Sequence, residues 1–258
     1  MSALADRVAA QPWYHTIDLG DGIVTRGEYD LRAAADRLPW PDLRGKTCLD
    51  VGSRDGFYAF EMERRGAARV VSLDIDDPAD VHFPAGAPPR EAVQEVLDTG
   101  NAAFALARDA LGSSVERVCR SIYTLTPEEA GRFDFAVIGT LLLHLRDPLR
   151  CLRSVRELSD GLLVNEAVVP SPVLLRARRP VAEFSPVDGP FWWLSNPACL
   201  LRMVTFAGFE VERSSRPYLV PRGDVRPGWG SVVRRPLRDI PRRAVLRAGM
   251  PHVWVLAR

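Results

Sequence analysis

The chain has 258 residues, 47% of them apolar and 26% charged, and a formal net charge of +1. That composition suits one large α/β core and excludes a disordered, fibrous or disulfide-scaffold protein. No run approaches the ~20 consecutive apolar residues of a membrane-crossing helix, and the start MSALADRVAA has no basic segment followed by an apolar one, so a soluble, cytoplasmic protein is expected.

The small net charge conceals an asymmetry. Residues 213–258 hold eleven arginines against Asp224 and Asp239, a balance of +9, which leaves −8 for residues 1–212. A basic segment of that kind attracts RNA, phosphates or carboxylates. The plainer reading is a solvated surface, because Lys46 is the only lysine and arginine supplies nearly every cation in this chain. Cys48, Cys119, Cys151 and Cys199 are scattered without C-x-x-C spacing, and His15, His82, His144 and His252 are equally dispersed. Neither a disulfide framework nor a metal site is expected.

Along the chain, an N-terminal arm (residues 1–27) is followed by a helical pattern at Glu28–Leu38 that stops before Pro39. Strand-like apolar runs then recur at Thr47–Val51, Arg69–Leu73, Val115–Cys119, Phe135–Gly139 and Gly161–Ala167. Helical stretches alternate with them at Phe57–Arg65, Glu91–Leu111, Pro148–Leu158 and Pro197–Ala207. The alternation predicts a mostly parallel sheet covered on both faces. Phe209–Arg213 and Val253–Ala257 suit closing antiparallel strands, with a Pro-, Gly- and Arg-rich insertion at 214–251 between them. A second irregular stretch, Val169–Ser195, ends in Phe191-Trp192-Trp193.

The segment CLDVGSRDGFYAFEMERRGAARVVSLD, Cys48 to Asp74, carries the most information. It reads as strand, glycine-broken turn, helix and strand, the opening unit of a Rossmann-like sheet. Gly52 and Gly56 allow a sharp turn and close approach of a ligand to the backbone. G-x-G-x-x-G is absent, so a pyrophosphate has no amide cradle. The spacing D-x-G-x-x-x-G, from Asp50 to Gly56, instead resembles the S-adenosylmethionine loop of class I methyltransferases.

Ligands of open α/β sheets lie beyond the carboxyl ends of the strands, which selects the remaining candidates. Asp50, with Gly52, Ser53, Asp55 and Gly56, would meet the methionine part of the cofactor; capping loop amides is the other role open to Asp50. Asp74 and Ile75 end the second strand, where a carboxylate binds ribose hydroxyls, caps a loop or pairs with an arginine. Ser121 and Ile122 follow the third strand, where the resemblance to class I methyltransferases implies that adenine is held. FDFAVIGTLLLHLRDP places Gly139 and Thr140 where their carbonyls would receive an ammonium. His144 lies beyond them, as a proton acceptor or as a hydrogen-bonded core residue. Glu166, after the fifth strand, would hold the acceptor, act as a base or pair with an arginine. Tyr14, Trp192 and Trp193 would enclose an acceptor, or belong to the core.

Taken together, WYHTIDLGDGIVTRGEYD (Trp13 to Asp30), the Cys48–Gly56 loop, FALARDALGSSVE, GTLLLHLRDP and FWWLSNPACLLRMVTFAGF resemble, in that order, the bacterial methyltransferase family related to the enzyme that completes carboxymethoxy- or methoxy-uridine at the tRNA wobble position. The resemblance implies a class I fold with a seven-stranded sheet, in a single domain of arm and helix (1–45), Rossmann-like core (46–213), and insertion with closing strand (214–258). It also implies an arm folded over the cofactor and methyl transfer to an oxygen, with Trp13 at the cofactor and His15 or His144 at the transferred group. The family's carboxylated cofactor is read by a lysine, a tyrosine and an arginine, and the matching positions here are His15, Leu143 and His252. Leucine offers no donor, so ordinary S-adenosylmethionine is the expected cofactor. The main domain is acidic and offers no RNA track, which favours a small-molecule acceptor over tRNA, the alternative partner; a cofactor-binding protein without catalysis is the third reading.

Salt decides between the two acceptors, because neutralising phosphates releases counterions. tRNA binding measured by filter retention is expected to be weak and non-specific, and charge reversal at Arg234, Arg235, Arg242 and Arg243 to leave small-molecule methylation unchanged. Selective tRNA methylation at physiological salt, abolished by those reversals, would establish the alternative.

Overall fold

The computed structural model describes residues 3–83, 88–184, 191–220 and 249–258. Helix α1 (Ala3–Ala10) and strand β1 (Trp13–His15) form the arm, and β1 pairs in parallel with β2 (Gly27–Tyr29). A Cβ on Gly27 would overlap the backbone of His15, so this close pairing requires glycine. Here the structure corrects the expected helix at Glu28–Leu38: its first residues are drawn into β2, and only α2 (Arg32–Ala35) is helical. Leu31, Ala35 and Leu38 do share a buried face. That apolar spacing suggested a longer helix than the backbone allows once Glu28 and Tyr29 pair with the arm.

The core follows in the expected order. Strand β3 (Thr47–Val51) leads into α3 (Phe57–Arg64) and β4 (Arg69–Asp74). Then come α4 (Arg90–Leu111), β5 (Glu116–Cys119), the short α5 (Pro127–Ala130), β6 (Phe133–Gly139), α6 (Pro148–Leu158) and β7 (Ser159–Ala167). The remaining elements are β8 (Ala182–Phe184), β9 (Trp193–Ser195), α7 (Pro197–Phe206), β10 (Val211–Ser214), β11 (Tyr218–Val220) and β12 (Met250–Ala257). The sheet runs β5-β4-β3-β6-β7-β12-β10. Its first five strands are mutually parallel, and β12 is antiparallel to both β7 and β10.

Three strands lie where irregular chain was expected. Strands β8 and β9 form an antiparallel pair within Val169–Ser195. Strand β11, at the start of the expected insertion, pairs with Met250–His252 and makes the sheet eight-stranded. The reason is burial: Val220 is fully enclosed, and without β11 the first half of β12 would leave backbone groups unpaired. The rest of that insertion lies outside the described residues.

One face of the sheet packs against the arm, α3 and α4, with Phe60 stacked on Phe104 at 5.4 Å. The other packs against α6 and α7 through Leu152, Val155, Leu200 and Val204. Both of those helices start on a side-chain cap followed by proline: Asp147 accepts from Arg150 N at 2.9 Å, and Asn196 from Cys199 N at 2.8 Å. Such caps fix where a helix begins.

At the carboxyl end of β6, a Cβ on Gly139 would overlap the Tyr58 ring, whose hydroxyl is held by Asn165 Nδ2 at 2.7 Å. Gly139→Ala should therefore lower stability in urea unfolding by about 1–3 kcal/mol, the cost of overpacking; an unchanged midpoint would show that the ring moves aside freely.

Candidate active site

The carboxyl ends of β3, β4, β6 and β7 meet the arm in one place, and four carboxylates organise it. In the β3–α3 loop the backbone is left-handed at Gly52, Arg54 and Gly56, with φ of +74°, +53° and +93°. Such a tight turn needs glycine at most of these positions. Asp50 is 1% exposed, and its Oδ2 accepts from Ser53 Oγ at 2.6 Å and Ala59 N at 3.0 Å. Burial pushes its carboxyl up to about 6, against the pull of the Ser53 hydrogen bond. Asp74 accepts from Arg54 N at 2.5 Å and Ile75 N at 2.8 Å, with Arg117 at 3.6 Å. It thus caps the loop and faces an arginine, while its carboxylate stays partly accessible.

Asp55 does something the sequence did not announce. Its Oδ2 accepts the backbone N–H of Tyr14 at 2.9 Å and of His15 at 2.8 Å, and its Oδ1 lies 2.5 Å from His15 Nδ1. The carboxylate placed at the cofactor by spacing therefore pins the arm to the loop. Burial acts to raise the Asp55 carboxyl, but the pairing with His15 and the two amides outweigh it and hold it below its ordinary value. His15 packs edge-on to Tyr14 at 4.7 Å and lies 5.5 Å from Phe57, the first residue of α3. Tyr14 also carries the Arg54 guanidinium over its ring at 5.4 Å. Trp13 turns into the core of the arm, donating Nε1–H to Val8 O at 2.9 Å.

The loop after β6 is the second half of the site. Thr140 adopts a left-handed φ of +55°; its N–H donates to Asn165 O at 2.8 Å, and its Oγ1 lies 3.1 Å from His252 Nε2. Glu166, expected at the acceptor, is 1% exposed and holds this loop: Oε2 accepts from Leu141 N at 3.1 Å and Leu142 N at 2.9 Å, while the buried Oε1 has no hydrogen-bond partner among the described residues. His144 packs against Phe191 at 5.4 Å. Trp192 is tied in by its N–H to Leu143 O and its indole to His82 O, both at 2.8 Å, and Trp193 donates to Arg146 O at 3.1 Å. Ser121 and Ile122 are buried at the end of β5, beside Tyr123, which stacks on His82. A hollow of about 310 Å³ is lined by Pro78, Val81, Phe83, Pro88, Arg90, Val93 and Arg146.

A buried polar chain was missed in the sequence. Tyr218 OH donates to Asn165 Oδ1 at 2.6 Å, and Asn165 Nδ2 donates to Tyr58 OH. The signal was Asn165 itself, a polar residue inside the apolar run LLVNEA. His252 completes this side; burial pushes its imidazole down to about 4.

No family model matches the chain. Among curated proteins, it is 29% identical over 177 residues to a ubiquinone biosynthesis O-methyltransferase of Neisseria meningitidis serogroup C, and 28% identical to that of serogroup A. Each match spans 66% of this chain and 66% of the relative, just under two thirds of its length. Among solved structures, the N-terminal domain of EvdMO1 with S-adenosylhomocysteine and D-fucose aligns with a TM-score of 0.59 over 99% of this chain and 95% of that one, at 17% identity. An S-adenosylmethionine-dependent methyltransferase from Mesorhizobium loti gives 0.52 over 88% and 97%, at 14% identity. The 1,6-didemethyltoxoflavin N1-methyltransferase of Burkholderia thailandensis gives 0.53 over 88% and 77%, at 16% identity. The fold is that of class I S-adenosylmethionine-dependent methyltransferases. The finer likeness to the tRNA wobble-uridine family rests on the sequence motifs alone.

Burial raises the Glu166 carboxyl from 4.5 to about 8, more than its amide donors lower it. The folded protein keeps a proton there that the unfolded chain has released, so this stabilisation is full below pH 4.5 and is lost as pH rises to about 8. Glu166→Gln cannot titrate, and its denaturation midpoint should fall less than that of the wild type between about pH 5 and 8. The slope that remains belongs in part to Asp50, which is raised in the same sense. Parallel slopes in both proteins would remove Glu166 as the titrating group.

Proposed function

We propose that this protein is an S-adenosylmethionine-dependent methyltransferase acting on an oxygen of a small molecule. The observation that carries the reading is the β3–α3 loop: a left-handed glycine turn between two strand-end carboxylates, Asp50 and Asp74, at the crevice of a class I sheet. Asp50, Gly52, Ser53 and Gly56 would border the methionine part, Asp74 and Ile75 the ribose, Ser121 and Ile122 the adenine, and the carbonyls of Gly139 and Thr140 the ammonium. When bound, the cofactor supplies an electrophilic methyl on a sulfonium.

The chain's own residues supply orientation and exclusion of water. The arm, through Tyr14 and His15, covers the loop from one side, and Phe191, Trp192 and Trp193 close over the other; such enclosure aligns the reacting groups and desolvates them. On the acceptor side, Thr140, His252 and Tyr218 would offer uncharged hydrogen-bonding groups. Leu143 is buried and His252 is pushed toward neutrality. Both features support ordinary S-adenosylmethionine over the carboxylated sulfonium, whose extra charge would find no cation at those two positions. The relatives' names support a small acceptor, since they concern ubiquinone biosynthesis and a toxoflavin precursor. The Burkholderia thailandensis enzyme is an N1-methyltransferase, so oxygen as the accepting atom rests on the curated relatives.

Incubation with methyl-labelled S-adenosylmethionine and a panel of catechols, phenols and sugars should yield methyl ethers; binding without transfer to any of them would favour a non-catalytic protein. Asp74→Ala should weaken S-adenosylmethionine binding in calorimetry by about 1.5–3 kcal/mol, as expected for loss of hydrogen bonds to a charged group. Unchanged affinity would remove Asp74 from the ribose site.

A further inference from the structure

We propose that Asp55 is the positioning residue of a general base, and that the base is His15. The inference rests on the methyltransferase reading above and deepens it. Three observations meet on one side chain. The His15 ring is buried, and it belongs to the arm, whose short strand pairs with β2 in a two-stranded sheet separate from the main one. Asp55 binds both the backbone that carries the ring and the ring itself: the N–H groups of Tyr14 and His15 fix the strand, and Oδ1 fixes Nδ1. The other ring nitrogen, Nε2, makes no hydrogen bond among the described residues.

This is the arrangement a neutral imidazole needs in order to accept a proton. A carboxylate on Nδ1 selects the Nδ1–H tautomer, turns the Nε2 lone pair outward, and stabilises the imidazolium that forms. The ring stands over the loop bearing Asp50 and Asp55, against Phe57 at the start of α3. In the reaction, the acceptor O–H gives its proton to Nε2, and the oxygen's electron pair forms the new bond to the methyl carbon. The carbon–sulfur bond breaks with its pair remaining on sulfur, so the sulfonium becomes a neutral thioether and the positive charge passes to His15. The proton then leaves to water. Asp55 itself touches neither donor nor acceptor; its effect on catalysis passes through the ring and the arm.

The decisive measurement needs no acceptor. In ¹⁵N NMR of the ligand-free protein, His15 should show the Nδ1–H, Nε2-unprotonated tautomer, and Asp55→Asn should lose that preference. An Nε2–H ring in the wild type overturns the proposal, whether or not any variant folds. In kinetics with pyrocatechol as acceptor probe, Asp55→Asn keeps an oxygen for the two amides and should lower kcat by about 100-fold, within the range of general-base catalysis. The KM for S-adenosylmethionine and the affinity for S-adenosylhomocysteine should stay within about twofold, well inside a tenfold change. His15→Ala should be rescued in part by added imidazole. A matching loss of S-adenosylhomocysteine binding in Asp55→Asn would return Asp55 to the cofactor site and overturn the proposal. A wild type that binds S-adenosylhomocysteine but methylates nothing contradicts the function proposed above, while the tautomer still decides this one.

Discussion

Where the parallel strands end and the chain turns, backbone amides lose their regular sheet partners, and in this molecule carboxylates satisfy several of them. Asp50 takes Ala59 N, Asp74 takes Arg54 N and Ile75 N, Glu166 takes Leu141 N and Leu142 N, and Asp55 takes two amides of the arm. A buried carboxylate without donors would be prohibitively costly, and an amide without an acceptor costs nearly as much as a lost hydrogen bond. Each is tolerable only because of the other. The loops that form the crevice therefore have definite shapes before any ligand arrives, which is the preorganisation that positioning catalysis requires.

The carboxylates also set the charge of the crevice. Asp50 and Glu166 are pushed upward by burial, whereas Asp55 is held low by its partners. The difference comes from the donors, not from depth, since all three are about equally enclosed. A group that has His15 and two amides on its oxygens stays ionised. Glu166, buried with amides on one oxygen and no hydrogen-bond partner for the other among the described residues, favours its proton.

Much of the fold was legible because the core strands are continuous apolar runs and their helices carry a clear period; Thr47–Val51, Phe57–Arg64 and Pro148–Leu158 announce themselves. Glu28–Leu38 misled because Leu31, Ala35 and Leu38 keep helical spacing, whereas the pairing that claims Gly27–Tyr29 depends on residues more than ten positions earlier. The same limit applies to the site. Gly52, Gly56 and the strand-end acids could be placed by spacing, since a loop is a local object. Asp55 and His15 are 40 residues apart, and Tyr218 and Asn165 are 53 apart; nothing in either neighbourhood names its partner. Glu166 was found but its direction was not, because one step along a strand reverses the face a side chain presents.

Strand β12 shows how the order of the sheet differs from the order of the chain. Residues 250–257 lie between β7 and β10, so they fill an inner lane of the sheet although they are the last strand in sequence. Until that strand arrives, the edge of β7 from Leu162 to Ala167 is open, and every residue of it is buried in the folded protein. An open apolar edge recruits strands from other chains. Sheet closure by so distant a segment is also slow, because a long loop must be ordered before its contacts form. Solubility during synthesis therefore depends on how long β7 waits, and overexpressed protein should be lost to aggregation most readily in that interval.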